Sequence, residues 1–187
     1  MVALHSAVAH PHALRGFLQG EWTLSKTFDY VRGGVTSSFF GTATFTPLIE
    51  NILSYEERGE LIVQGQPNMP AYRRLLWDFS DNPVSVSFDE AQDRSSASEI
   101  LAGARFFHHI SLASTTRLAD GNPPSFEHPC GPDLYIGQLL LSKEDEFEIL
   151  WRVVGPRKNG SILNSFVRRR LRDESQWASS LSSFPKT

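Results

Sequence analysis

Short runs in which apolar and polar residues alternate recur along most of this sequence, and they constrain its fold more than any other feature. A period of two places successive side chains on opposite faces of an extended chain. Gly, Pro, Asn and Asp separate the runs at short intervals, as turns require. The pattern predicts strands at residues 22–31, 35–46, 52–58, 60–65, 71–80, 84–89, 104–112, 134–142, 146–154 and 161–171. Such a series indicates an antiparallel meander, and its closure into an all-β barrel of about eight to ten strands would remove the exposed edges.

The composition is that of one ordinary globular domain. The chain has 187 residues, of which 40% are hydrophobic and 21% charged, and this length suffices for one core. An aromatic share of 11% favours strands. The formal net charge of −3 gives no general attraction to nucleic acid or to an anionic membrane, so we expect neither as a partner. The single Cys excludes an internal disulfide and predicts a cytoplasmic location. No apolar run approaches the ~20 residues of a membrane span, and no secretory signal is expected.

Three regions are predicted along the chain. Residues 1–19 form an N-terminal lid with a short helix at 12–18, because Pro11 suits the first turn of a helix. Residues 20–172 form the barrel, and residues 173–187 form a Ser-rich tail with a short helix around Trp177. The polar stretch 90–103 is either a mobile loop or one short helix, and we expect it at a barrel mouth.

The segment Gly20-Glu21-Trp22 opens the first strand. Gly20 allows the end of the helix to turn into the strand. Alternation then places Trp22, Leu24, Lys26 and Phe28 on one face of that strand. We expect Trp22 to fill the closed end of the barrel.

A Gly-x-Trp segment on the first strand, with an Arg on the last, resembles the calycin superfamily of lipocalin-like barrels. The resemblance implies that Trp22 packs under an Arg at the closed end, and this Arg is either Arg168 or Arg169. Alternation places Arg169 on the face of Leu163 and Val167, and it places Arg168 on the other face. The interpretation favours Arg169.

A closer resemblance spans nearly the whole chain. It is carried by residues 17–24, 40–45, 55–59, 72–73, 106–108, 128–135 and 151–158. These blocks resemble the domain of unknown function numbered 6314, and the last two are the most specific in spacing and composition. The family implies a calycin-like barrel and no established activity. The stretch 90–103 departs from the family's usual pattern, which passes quickly into the Phe-Phe-His strand.

The segment His128-Pro129-Cys130-Gly131-Pro132-Asp133-Leu134-Tyr135 is the first candidate for chemistry. In the functional interpretation His128 acts as a base or metal ligand, Asp133 orients it, and Tyr135 donates a hydrogen bond. In the structural alternative this segment is a tight corner, Cys130 packs as a small apolar group, and Asp133 caps backbone amides. Both interpretations remain open from the sequence.

His108 and His109 lie on one predicted strand, so one points inward and the other outward. Together with His128 and Cys130 they could form a zinc site, but the usual paired ligand spacings are absent. One inward His could instead be the proximal ligand of a heme, as in small calycin barrels that handle nitrite or nitric oxide. The sequence predicts neither cofactor. An inward His that hydrogen-bonds to a Tyr or Asp in a polar core is the structural alternative, and an inward His108 that serves as an acid or base is a further functional option.

Charged residues of opposite sign lie on two consecutive predicted strands. Tyr55, Glu56 and Glu57 lie on one, and Arg73 and Arg74 lie on the next. If a Glu faces inward with an Arg, the two form a costly buried ion pair, and such a pair would indicate a ligand site. The alternative is an exposed cross-strand pair. Tyr55, Glu57 and Arg73 are therefore candidate ligand-binding residues.

A basic hairpin follows Trp151. Arg152, Arg157 and Lys158, together with several Arg near residue 170, give a positive patch in a mildly acidic protein. Arg and Lys bind carboxylate and phosphate groups well. Trp151, Arg152, Arg157 and Lys158 are therefore candidate ligand-binding residues for a small anion, whereas RNA binding is the weaker alternative.

Three functional hypotheses follow. The first is an intracellular lipocalin-like barrel that binds a small, partly apolar and anionic molecule. The second is a small barrel isomerase, cyclase or hydrolase that uses His128 or His108 with Asp133 and Tyr135. The third is a structural or RNA-associated subunit. The sequence does not specify an oligomeric state.

Overall fold

A computed structural model describes residues 10–112 and 125–169. The predicted tail at 173–187 lies outside these residues. Two helices within them are α1 (Pro11–Leu18) and α2 (Ala97–Ala102). The strands, in chain order from β1 to β10, are Gly20–Arg32, Ser37–Ile49, Ile52–Val63, Met69–Asp78, Val84–Asp89, Ala104–Ile110, Ser125–Cys130, Asp133–Lys143, Glu146–Val154 and Asn159–Arg168.

The strands form one antiparallel sheet that curls into a nearly closed barrel. Their order is β6-β5-β4-β3-β2-β1-β10-β9-β8-β7, so the first and last strands pair at the centre. The two edge strands, β6 and β7, meet through side chains, since the His108 and Phe126 rings stack 4.7 Å apart. The predicted all-β antiparallel barrel of eight to ten strands is confirmed.

One strand boundary was predicted wrongly. The sequence suggests a turn at Gly59, but β3 continues through this residue, and Gly59 pairs with Gly41 of β2. A Cβ atom on Gly59 would lie 2.3 Å from the Phe40 carbonyl oxygen and 2.7 Å from Gly41 Cα. Gly59 therefore allows a close approach of two strands and does not mark a reversal of the chain.

The structure contains one strand at residues that the sequence analysis did not assign to a strand. β7 (Ser125–Cys130) contains Pro129 and pairs with β8, with Cys130 opposite Asp133. Gly131 turns the chain between them at φ 61°. β7 is an edge strand, and a sheet tolerates Pro there because no neighbour needs its missing N–H.

Helix α1 packs over one end of the barrel, which we call the closed end. Its residues Leu14 and Leu18 are fully buried. The Trp22 indole is also fully buried and donates a 2.8 Å hydrogen bond to the Leu18 carbonyl oxygen. Trp22 packs edge-on against Phe147, with ring centroids 4.7 Å apart. The helix and the first strand are thus joined by one aromatic core.

Arg168, not Arg169, closes the barrel over Trp22. Its guanidinium carbon lies 4.1 Å from the centre of the Trp22 ring, and it donates hydrogen bonds to the carbonyl oxygens of Phe17 and Gln19. Arg169 instead points outward to Glu21, at 3.6 Å. The sequence preference was wrong because Arg168 stands directly opposite Trp22 in the β1–β10 register, and cross-strand partners share a face.

We expect the substitution Arg168→Gln to lower the free energy of unfolding by about 2 kcal/mol. The change removes charge-assisted hydrogen bonds to α1 and a cation–π contact with Trp22. Urea denaturation measures the effect. The matched change Arg169→Gln should alter stability by no more than about 0.5 kcal/mol, because its ion pair is exposed. Equal losses in the two variants would contradict this assignment of the closing residue.

The insert at 90–103 lies on the outside of the barrel and not across its mouth. Helix α2 begins after Ser96, whose hydroxyl accepts from the Glu99 amide. Its buried residue Ile100 forms a small cluster with Ile52 and Leu76. Leu76 faces away from the lumen because its neighbours Leu75 and Trp77 belong to the main core. The expectation of a mouth position was therefore wrong.

Candidate functional site

Two adjoining cavities of the lumen are lined by residues that the structure describes. The larger one, which we call the mouth cavity, has a volume of about 220 Å³. Its apolar wall consists of Phe28, Phe88, Phe107, Trp151 and Ile162, and its polar lining residues are Lys26, Arg73, His128, Cys130, Tyr135 and Asn164. The smaller inner cavity, about 40 Å³, shares Lys26, Arg73, Phe107, Trp151 and Asn164 with the first and adds Tyr55, Glu57, Trp77 and His108 among others.

A charged network lies where the two cavities meet. Lys26 Nζ is 2.5 Å from Glu57 Oε1, and the Tyr55 hydroxyl donates to Glu57 Oε2 at 2.5 Å. Arg73 Nε is farther from Glu57 Oε1, at 3.8 Å, and about half of its side chain is exposed. Of the two alternatives for the charged strands, the inward pair is therefore the one present: Glu57 and Arg73 face the lumen. Glu56 faces outward and pairs with the exposed Arg58.

Strand registers explain how this network forms. Glu57 and Arg73 stand opposite each other on β3 and β4, so their side chains share the lumen face. Lys26 comes from β1 and reaches Glu57 across β2, where its Nζ lies 5.2 Å from the centre of the Phe39 ring. The small residue Ala43 occupies the β2 position opposite Glu57, which leaves room for the lysine side chain.

Burial and mutual attraction act in opposite directions on these ionisable groups. Burial lowers the pKa of Lys26 to about 8, against the opposing effect of the Glu57 charge. Burial alone would raise the pKa of Glu57, but the charges of Lys26 and Arg73 and two hydrogen bonds outweigh it and hold the pKa below its usual value. Burial, reinforced by Glu57, raises the pKa of Tyr55 well above its ordinary value. Near neutral pH the network therefore holds the Glu57 carboxylate beside the Lys26 ammonium, which loses its proton more readily than that of an ordinary lysine.

Two polar side chains complete the lining of the inner cavity. Asn164 donates through Nδ2 to the Ile149 carbonyl oxygen at 2.8 Å. The Trp77 indole nitrogen is buried, and it is one of two such side-chain atoms without a hydrogen-bond partner in the described parts of the chain. A buried donor without a partner is costly, and Trp77 is also one of the residues that line the inner cavity.

A β-bulge directs two consecutive side chains of β6 into the lumen. The β5–β6 register passes from His108 to Phe106 and skips Phe107, so Phe107 and His108 both line the inner cavity. His109 is exposed, which confirms that one His of the pair points inward and the other outward. His108 packs against Phe107, Phe126 and Trp151, and burial lowers its pKa to about 3. It is therefore a neutral core residue near neutral pH.

His128 joins the two edge strands at the mouth cavity. Its Nδ1 lies 2.9 Å from the Phe107 carbonyl oxygen, which can only accept, so Nδ1 carries the proton. Its ring lies 4.4 Å from the Phe107 ring and 6.2 Å from the Tyr135 ring. In the neutral imidazole Nε2 is then the acceptor. The structure thus brings His128, Cys130 and Tyr135 together in the cavity lining.

Asp133 does not orient His128. Its carboxylate accepts from the backbone amides of Arg157 at 2.9 Å and Lys158 at 3.2 Å. A Cβ atom on Gly155 would lie 2.1 Å from Asp133 Oδ1, so the carboxylate fills the β9–β10 turn. The structural alternative for Asp133, the capping of backbone amides, is the one that the structure contains. Tyr135 hydrogen-bonds with Tyr30, and burial raises the pKa of both phenols.

The basic hairpin stands apart from both cavities. Arg152 is exposed and pairs with Ile136 and Ser161, on the outer face of β9. Arg157 is exposed in the turn, and the Lys158 ammonium lies 5.9 Å from the centre of the Tyr30 ring. These three candidate ligand-binding residues do not line the described cavities. Trp151, in contrast, lines both.

Lys26 is a charged site residue that sequence reasoning did not select. Its signal was present, because alternation placed this charged residue on the same face as Trp22, Leu24 and Phe28. Phe107 and Asn164 were also missed. Strict alternation places Phe107 and His108 on opposite faces, so it does not predict the bulge that turns both side chains inward.

Within residues 10–112 and 125–169, no group of three or more His, Cys, Asp and Glu side chains is arranged to hold a metal ion. None of the helices in these ranges has the length and apolar character of a membrane span.

Comparison with known structures returns β-barrels. One is the S-type phycobiliprotein lyase CPES from Guillardia theta, at 7% identity and a TM-score of 0.49, covering 89% of this chain and 98% of that one. Another is a de novo designed fluorescence-activating barrel, at 12% identity and a TM-score of 0.41, covering 83% and 96%. A third is the redesigned barrel mFAP1 bound to DFHBI, at 13% identity and 0.39, covering 83% and 97%. These likenesses are too distant to support a functional argument.

Comparison with curated proteins found no match. The comparison with family models did find one, which extends from residue 18 in α1 to residue 168 in β10 and so includes every described strand of the barrel. This chain therefore belongs to the family of unknown function DUF6314.

Proposed function

We propose that this protein is an intracellular, calycin-like barrel that binds a small, partly apolar anion in the mouth cavity. Arg168 over Trp22 at the closed end supports the calycin-like assignment, because the resemblance implies that arrangement. The exposed free thiol of Cys130 supports a reducing compartment. The ligand chemistry rests on the charges and surfaces of the cavity.

The charge of the cavity lining carries the proposal. Among the described lining residues, Lys26 and Arg73 are cationic and Glu57 is anionic. Lys26 holds Glu57 at 2.5 Å, whereas Arg73 is 3.8 Å away. A guanidinium has five N–H donors, so Arg73 can bind a carboxylate while it remains near Glu57. An entering anion therefore meets a net positive site in surroundings of reduced dielectric constant.

The size and walls of the cavity indicate the rest of the ligand. Five aromatic or aliphatic side chains form the apolar wall, and Phe107 and Trp151 lie 5.9 Å apart within it. A flat or compact apolar group would bury against them. The volume of about 220 Å³ is below the roughly 300–1,000 Å³ of pockets for drug-sized molecules. The ligand is therefore a small molecule with one anionic group.

Native mass spectrometry of the purified protein is the first test, because a bound mass that is lost on denaturation would reveal the ligand's class. A charge series then tests the recognition directly. 3-Phenylpropionate, 3-phenylpropanol and 3-phenylpropylamine share one apolar group and differ in the charge at its end. We expect the anion to bind most tightly and the cation least, as measured by calorimetry.

We expect Arg73→Gln to weaken binding of 3-phenylpropionate by about five- to tenfold and to leave binding of the alcohol unchanged. We expect a modest loss of affinity because the Arg73 side chain is about half exposed, and solvent weakens its attraction to an anion. Arg74→Gln is the matched control, because Arg74 is next in the chain and faces outward opposite Glu56. Equal affinity for the three probes, or equal effects of the two substitutions, would refute the proposed anion site.

Catalysis at the mouth cavity is the second candidate. It is favoured by His128, which donates through Nδ1 to the Phe107 carbonyl oxygen and so leaves Nε2 as the acceptor of the neutral ring, while Tyr135 lines the same cavity. This arrangement suits proton transfer to or from a bound molecule. If a molecule identified by mass spectrometry is converted by the protein but not by His128→Gln, the enzymatic function replaces simple binding.

A further inference from the structure

Lys26 has a position that ion pairing alone does not explain. Its side chain is 5% exposed, yet it lines both the mouth cavity and the inner cavity. An amine in the wall of an apolar pocket is the usual setting for a lysine that bonds covalently to a carbonyl compound. We propose that Lys26 forms a reversible imine with an aldehyde or ketone group of the ligand. This inference rests on the proposed binding function and specifies the chemistry of the ligand.

Glu57 is placed to exchange a proton with this amine. Glu57 Oε1 lies 2.5 Å from Lys26 Nζ, and its other oxygen accepts from Tyr55 at 2.5 Å. The carboxylate is therefore fixed in position and can receive a proton from the ammonium group. Burial lowers the pKa of Lys26 to about 8 and so reduces the free energy that this transfer to Glu57 requires. A neutral amine is the form that attacks a carbonyl carbon.

The reaction balances with the groups present. Glu57 takes a proton from the Lys26 ammonium, and the free electron pair on Nζ attacks the carbonyl carbon. The carbonyl oxygen takes one of the two protons that the attacking nitrogen still carries, which gives the hydroxyl of a neutral carbinolamine. Glu57 then returns its proton to this hydroxyl, which leaves as water while the C=N bond forms. No oxidant or reductant is needed, and water reverses each step.

Two features of the lining suit the intermediate and the product. The protonated imine keeps a positive charge on Nζ, so the ion pair with Glu57 survives the reaction. Trp77 Nε1, which has no hydrogen-bond partner among the described residues, lines the same inner cavity as Lys26. An N–H donor of this kind stabilises negative charge that develops on a carbonyl oxygen beside it. This donor is an observation independent of the lysine.

Reductive trapping tests the inference. The full chain is treated at pH 7 with a low concentration of 3-phenylpropanal and sodium cyanoborohydride, and the modified lysine is located by peptide mapping. A trapped imine adds the mass of the probe less one oxygen atom. We expect labelling at Lys26 to exceed that at Lys143 about tenfold or more. The reason is that hydrogen bonding and attraction to Glu146 raise the pKa of Lys143, whereas that of Lys26 is lowered.

Two variants test whether the selective label depends on Lys26. Lys26→Arg keeps a cation beside Glu57 and cannot form an imine, so it should abolish the selective label. Lys143→Arg is the matched control and should retain it. If Lys26→Arg fails to fold, the peptide map of the labelled wild-type chain still shows whether Lys26 is the modified residue. A label spread evenly over Lys26, Lys143, Lys158 and Lys186, or absent from Lys26, overturns the inference.

The same samples separate this inference from the function on which it rests. If native mass spectrometry shows a noncovalent complex with 3-phenylpropionate, and borohydride traps nothing at Lys26, the binding function stands and the imine is refuted. If neither the acid, the alcohol nor the aldehyde binds and Lys26 is not labelled, both proposals are refuted.

Discussion

Replacement of Glu57 by Gln is expected to lower the free energy of unfolding at pH 7 by about 3–5 kcal/mol. The change leaves the Lys26 ammonium buried without its counter-charge, and a broken buried pair is strongly destabilising. The loss has an upper bound, because Lys26 can release its proton. Deprotonation at pH 7 of a lysine with an ordinary pKa of 10.5 costs about 5 kcal/mol. Urea denaturation measures the difference.

The pH dependence of the Glu57→Gln variant identifies the cause. Its folded state binds fewer protons at Lys26 than its unfolded state does, so its stability should rise relative to the wild type between pH 7 and about pH 8, where Lys26 of the folded wild type also begins to lose its proton. The double change Lys26→Met with Glu57→Gln removes both charges and should recover most of the loss. Glu56→Gln, which affects only an exposed pair, should cost no more than about 0.5 kcal/mol. A double variant as unstable as the single one would contradict the pairing.

Acidification should destabilise the barrel through His108. The pKa of His108 falls from 6.5 to about 3 on folding because of burial, so the unfolded state binds the additional proton between these values. This contribution to stability is complete above pH 6.5 and is lost as the pH falls toward 3. It amounts to about 3 kcal/mol between pH 7 and pH 4. Urea denaturation at the two pH values measures the loss.

The variant His108→Leu isolates this contribution, because leucine has a similar volume and does not titrate. Its loss of stability between pH 7 and pH 4 should be smaller than that of the wild type by about 3 kcal/mol. His109→Gln is the matched control, since His109 is exposed and contacts Ser85 on the outer face. The His109→Gln variant should lose as much stability between pH 7 and pH 4 as the wild type does. The assignment fails if His108→Leu is as acid-sensitive as the wild type.

The barrel could be predicted from the sequence because a period of two needs only local information. Each β-strand side chain points opposite to its neighbours, so the faces of β1 and β9 follow from residue order. The prediction failed where one residue type serves two roles. Gly59 lies within a strand to allow close approach to Gly41, and Pro129 lies in an edge strand.

The site could be predicted only in part. Tyr55, Glu57, Arg73, Trp151, His108, His128 and Tyr135 were selected, and each lines a cavity. Lys26 was on the correct face, but its partner lies on β3, and contact across β2 depends on two strand registers together. Asp133 and Arg152 were also selected for their chemistry. Asp133 instead accepts a backbone hydrogen bond in the β9–β10 turn, and Arg152 lies on the exposed outer face of the barrel.

The sequence by itself determined which side chains share a face, because the pleat fixes this within each strand. The tertiary structure alone decided which faces meet. Register placed Arg168 opposite Trp22, a bulge turned Phe107 inward beside His108, and curvature carried Lys26 to Glu57. Contacts between distant segments depend on how a sheet twists and closes, and no local pattern of residues records that geometry.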